Sequence, residues 1–199
     1  KVVDDWIAGG TEKANVELTY GLIQDWDTSQ VTSMYKLFYN MPSFVANLSK
    51  WDVSRVTTMR FMFGGDQVFN SDLSEWNTSN VVTLDRTFYN CKLFNSDLSK
   101  WDVSQVINMY MTFHSCSAFT SDISIWKVVR ATNMKMMFYK AKVFNSDVSK
   151  WDVSKVTDMT QMFHYATEFN SDVSTWDASR VVSLQNIFDD ATKFNRTWC

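Results

Sequence analysis

The chain is poor in the residues that punctuate or cross-link irregular structure. Five glycines and one proline in 199 residues exclude a collagen-like chain and argue against a disordered one. Three cysteines do not by their number make a disulfide framework. Two histidines leave little material for a metal centre. No apolar run reaches the length of a membrane-spanning helix. The first residues, Lys1-Val2-Val3-Asp4-Asp5-Trp6, do not read as a signal peptide. Neither sign of charge is blocked. The net charge is -3, and no basic stripe suited to neutralising phosphates runs along the sequence, which argues against nucleic-acid binding.

What is abundant is apolar and aromatic, 45% and 16% of residues. The aromatics are periodic. Trp26, Trp51, Trp76, Trp101, Trp126, Trp151 and Trp176 are spaced by 25 throughout. So are Phe38, Phe63, Phe88, Phe113, Phe138, Phe163 and Phe188. A second Phe column runs Phe44, Phe69, Phe94, Phe119, Phe144, Phe169 and Phe194. Seven copies without insertion or deletion mean that each copy occupies an equivalent turn of a repeat array.

The unit reads F-N-S-D-L-S-x-W-D-V-S-x-V-T-x-M-x-x-M-F-x-x-A-x-x. Leu48-Trp51-Val53 and Leu98-Trp101-Val103 have the spacing of a leucine-rich-repeat strand. Val156, Met159, Met162, Phe163, Ala166 and Phe169 then recur at three and four residues, which predicts a short helix with Ser154 as its N-cap. The expected fold is therefore an α/β, leucine-rich-repeat-like solenoid. It has seven coils, each with a short strand and a short helix. Residues 1–22 carry no repeat and are expected to form an N-terminal helical cap, with 23–199 as one continuous repeat domain. Trp198 falls in the strand column, so the array is expected to continue past Cys199 or to be covered there by a partner.

Trp151-Asp152-Val153-Ser154, Val156-Thr157 and Met162-Phe163 carry a likeness to a known family. The repeat resembles that of BspA-like leucine-rich-repeat surface proteins, in the Trp-Asp-Val-Ser branch found in bacterial surface lipoproteins and marine algae. The resemblance implies adhesion, surface display or protein binding, an extracellular or lumenal setting, and no catalytic residues. The fifth copy departs from the pattern: Trp126-Lys127-Val128-Val129 replaces Trp-Asp-Val-Ser.

No catalytic constellation is present. His114 and His164 lie two copies apart, about 10 Å on strand spacing, too far to share a metal. Neither has an evident nucleophile and orienting acid beside it. The column Asp27, Asp52, Asn77, Asp102, Lys127, Asp152, Asp177 and the second column from Asp72 to Asp172 read as acceptors for backbone N–H groups in turns. The competing reading of the first column is a calcium site, which Asn77 and Lys127 interrupt. Asn70, Asn95, Asn145, Asn170 and Asn195 read as an amide ladder. Cys91 and Cys116 occupy adjacent copies, as buried thiols or as a disulfide. Asn47, Asn77 and Asn195 sit in glycosylation sequons.

No cofactor and no metal are expected. The candidate surface for a protein partner, with glycan contact compatible with its polar ribbon, comprises Phe61, Met111 and Met136 in one column, Ile125 and Lys127 in the irregular copy, and Trp198 at the end. Two readings compete: a non-enzymatic module for interaction, adhesion or scaffolding, and an accessory subunit packed on a larger membrane-associated assembly.

Overall fold

A computed structural model describes residues 2–196. The chain begins with two helices, α1 (Val2–Ala8) and α2 (Gly10–Tyr20). The helical cap expected over residues 1–22 is two helices. Gly9 divides it at φ 75°, and Gly21 at φ 75° ends α2, a left-handed conformation that glycine adopts without a side-chain penalty. A 3-10 turn, Ile23–Asp25, leads into the repeats.

The expected coil of one strand and one helix does not form. Among the described residues all helix lies at or before residue 25, and the only β structure is a line of isolated parallel bridges. These join Ser33, Thr58, Thr83, Asn108, Asn133, Asp158 and Ser183, each to the equivalent residue one copy on. The repeats therefore stack in register, but through different segments from those expected.

Backbone bonds show what replaces the helix. Met159, Gln161, Phe163 and Tyr165 donate their N–H groups to Ser183, Gln185, Ile187 and Asp189, at 2.9–3.1 Å. The same four positions donate to residues 24 further on at every junction, beginning with Met34 to Thr58 and Asn40 to Gly64. Between these donors, Met162 and His164 close tight turns onto Met159 and Gln161. The segment alternates a rung to the next coil with a three-residue turn. Successive three-residue turns also bring every third or fourth residue to one side, which is why the apolar spacing imitates a helix. The backbone cannot be helical here, because two residues per coil are left-handed: Lys36 and Asn40 in the first, Gln161 and Tyr165 in the sixth.

The expected strand is also a turn. Trp51 N–H bonds Leu48 O at 3.0 Å, and Val56 N–H bonds Val53 O at 2.9 Å. Side chains join neighbouring coils on this side. Each Trp from Trp51 to Trp176 reaches back 28 residues: Trp51 Nε1 donates to Ile23 O at 2.8 Å, and Trp101 Nε1 to Leu73 O at 3.0 Å. A serine column reaches the other way, with Ser71, Ser96, Ser121, Ser146 and Ser171 accepting from the N–H of Leu48, Leu73, Leu98, Ile123 and Val148. Ser154 caps no helix. Its own N–H donates to Asp152 Oδ1 at 3.1 Å.

The core between the two sides is aromatic. Along the first Phe column, ring centroids are 5.6–5.7 Å apart and the rings lie within 10° of parallel. Within one coil the two Phe columns meet more closely, at 3.9 Å for Phe63 and Phe69. Such offset stacks add about 0.5–1.5 kcal/mol per pair beyond burial. Trp6 of α1 is buried edge-on against Phe44 at 6.1 Å, tying the helices to the first coil. Cys91 and Cys116 are free and buried, with their thiols on Phe63 O and Phe88 O at 3.1 and 3.0 Å. Burial pushes both thiols up, so neither is a reactive thiolate. The amide ladder is formed: Asn70 Oδ1 accepts from Asn95 N–H, and Asn145 Oδ1 from Asn170 N–H, both at 2.8 Å.

One polar residue breaks the core pattern. Asp66 stands in the column that continues as Cys91, Cys116 and Ala141, and it is fully buried. Its Oδ1 accepts from Phe69 N–H at 3.2 Å, and Oδ2 has no hydrogen-bond partner among the described residues. Burial raises its carboxyl from 3.8 to about 7. The folded chain therefore keeps a proton between those values that the unfolded chain releases, and stability falls as pH rises through that window.

Two outcomes follow for stability. Replacing Asp66 with Ala, the residue found at 141, 166 and 191, should stabilise the protein by about 1–3 kcal/mol at pH 8, with the gain shrinking as pH falls toward 4. Urea denaturation at several pH values measures this. Gln161→Gly should raise the urea midpoint, because φ is 55° there, by the equivalent of about 1 kcal/mol. Gln161→Val should lower it.

Candidate interaction face

The four donor positions of each coil alternate in direction. Met34 and Phe38 are buried, whereas Lys36 and Asn40 are exposed. The left-handed residues thus carry side chains outward, and stacking turns them into two outward columns. Phe61, Met111 and Met136 all lie in the first of these, at φ 52–56°. The structure brings these three candidates onto one face and leaves each half-buried.

Their neighbours make the face distinctive. Arg86 lies over the rings of Phe61 at 4.8 Å and Tyr110 at 4.3 Å. Arg60 approaches Tyr35 at 5.9 Å and Phe61 at 5.5 Å, and Lys36 approaches Tyr39 at 5.3 Å. Cations over aromatic faces are worth about 0.5–1 kcal/mol each at exposed sites. Asp85 is buried beneath them and ties the two guanidinium groups together, Arg60 Nε at 2.8 Å and Arg86 Nη1 at 3.1 Å. Farther along, Tyr89, His114, Tyr139 and His164 form a continuous ring ladder with centroids 4.6–5.1 Å apart. Lys140 covers Tyr139 and Tyr165 at 5.2 and 5.6 Å.

The two histidines are members of this ladder, separated by Tyr139. His114 Nδ1 is 3.0 Å from Ser115 Oγ. Desolvation lowers its ionisation to about 4, with Lys140 and Arg86 adding to the effect, so the ring is neutral at pH 7. Among the described residues no group of three or more His, Cys, Asp or Glu is gathered for a metal.

The other candidates lie elsewhere. Ile125 is 70% exposed, and with Lys127, Lys150 and Asp152 it rims a shallow depression. That segment belongs to the turn side. Phe38 packs against Trp51 across the core at 5.7 Å, so outward residues on the two sides point away from each other. The irregular copy interrupts less than its sequence implies. Lys127 removes the carboxylate acceptor, but Ala131 N–H still bonds Val128 O at 2.9 Å, and Trp126 Nε1 still reaches Leu98 O. Elsewhere the Asp residues hold their turns: Asp52 Oδ1 accepts from Ser54 N–H, and Asp72 Oδ1 from Ser74 N–H. The hydroxyl and N–H of Ser54 hold Asp52 below its ordinary value. Trp198 lies outside the described residues.

Sequence reasoning missed Tyr35, Tyr39, Arg60, Arg86, Tyr110, Tyr139 and Tyr165. The available signal was variation. These columns change identity from copy to copy, as positions free of the core do, yet those of Tyr35, Lys36 and Tyr39 keep to Tyr, Arg, Lys, Met and His at more than half of their positions.

No curated protein matches the chain, and no solved structure does. A family model matches residues 11–126 and again residues 107–198, which together take in nearly the whole chain. The chain belongs to the family described as Mycoplasma protein of unknown function, DUF285.

Proposed function

We propose that this chain is a non-enzymatic binding module that holds a protein partner on the cation–aromatic face. The observation that carries the reading is the composition of that face. Tyr, Phe, Met and Arg are the residues enriched where proteins bury surface on one another, and Tyr and Arg dominate the energetics. Here they are concentrated in outward columns of a rigid stack. From Lys36 to Lys140 the face carries Lys36, Arg60, Arg86, Lys135 and Lys140 against one carboxylate, Asp85. A partner with an acidic surface complements it. The likeness of the Trp-Asp-Val-Ser repeat to that branch of BspA-like surface proteins supports an adhesive or scaffolding role for such contacts.

The test is capture from the native source by cross-linking, followed by variants. Tyr110→Ala combined with Lys36→Glu should weaken binding of the captured partner about tenfold or more. Lys127→Ala, on the turn side, should leave it unchanged. A partner lost with Lys127→Ala and retained by the double variant places the interface on the other side and overturns the reading.

A further inference from the structure

The first Trp of the array differs from those that follow. Trp51 through Trp176 are 3–8% exposed, each with its indole N–H on the coil before. Trp26 has no coil before it. Its Nε1 donates to Gly21 O at 3.0 Å, and the residue is only half-buried. Between it and the start of α1 and end of α2 lies a cleft of about 410 Å³, within the usual size of small-molecule sites. Tyr20, Trp26, Trp51 and Met34 are among its apolar lining, and its two charged groups are Asp25 and Asp27. Among the described residues no Lys or Arg lines it. Lys50 reaches Asp25 at 3.3 Å, but both groups are exposed and such a pair holds weakly. Asp27 stays ionised, because the hydroxyl and N–H of Ser29 hold its carboxyl below the ordinary value.

We infer that this cleft binds a small organic cation with an apolar body, an alkyl- or aryl-ammonium compound. An anion meets two carboxylates, of which only the exposed Asp25 has a cation beside it among the described residues, Lys50. A neutral apolar molecule gains burial but leaves the charges unused. A quaternary ammonium group satisfies both halves of the lining, since its polarised methyl groups attract aromatic faces and its charge attracts carboxylates at short range. Tyr20 lines the cleft and is 57% exposed.

The experiment titrates benzyltrimethylammonium into the full chain, followed by Trp fluorescence and calorimetry, with benzyl alcohol as the uncharged comparison. Saturable one-to-one binding of the cation is expected, with none of the alcohol. Tyr20→Ala and Asp27→Asn should each weaken it by about threefold to tenfold. Both side chains are exposed, so the fold should persist, and circular dichroism checks that it does. Absence of saturable binding overturns the proposal. So does equal binding of the alcohol, or an affinity that neither substitution changes.

Discussion

Each coil hands its backbone N–H groups to the next through four donors per junction, at residues 34, 36, 38 and 40 and their equivalents, all accepted 24 residues on. A fifth bond returns, as from Thr57 to Thr32. At about 1 kcal/mol net apiece these bonds are individually modest. Their effect is geometric. They fix the rise and register of the stack, so every side-chain column becomes a physical ladder. The first Phe column can then stack within 10° of parallel at nearly constant separation, and the Trp, Ser and Asn columns can bond from coil to coil.

The same ladder creates the candidate interaction face. To send N–H groups out of the coil at alternate positions while turning tightly between them, two residues per coil must enter the left-handed region. Thirteen of these fourteen positions in seven coils carry a side chain, and Gly65 is the exception. Non-glycine residues there cost about 1–2 kcal/mol each. The strain is distributed along one side of the rod, where it projects Phe61, Met111, Met136 and Arg86 away from the core. The two irregular features have separate origins. Asp66 is a polar residue in a core column, and the N-terminal cleft arises because the first Trp has helices rather than a coil as its neighbour.

Much of this was legible in the residues alone. The 25-residue period, the three aromatic columns, the amide ladder and the turn-forming Asp residues follow from identity and spacing. The secondary structure was not legible, for a specific reason. Apolar residues at three and four positions apart record which side chains face inward. A helix and a chain of three-residue turns both produce that pattern. They differ in where the N–H groups go, and acceptors 24 residues away leave no mark on local spacing. The Leu-x-x-Trp-x-Val segment misled in the same way, since a turn with both ends in the core has the inward pattern of a short strand. The candidate residues divided likewise: Phe61, Met111 and Met136 share a face, whereas Ile125 and Lys127 lie across the core from it.

The sequence by itself determined the number of coils, their equivalence and the residues of the core, because burial selects residue type and stacking repeats that selection at a constant interval. Only the tertiary structure decided the path of the backbone within a coil and the neighbours of the variable residues. Both depend on contacts between one coil and the next. That is why Arg60 and Arg86, 26 residues apart, meet over Asp85, and why Tyr89, His114, Tyr139 and His164 form one ladder.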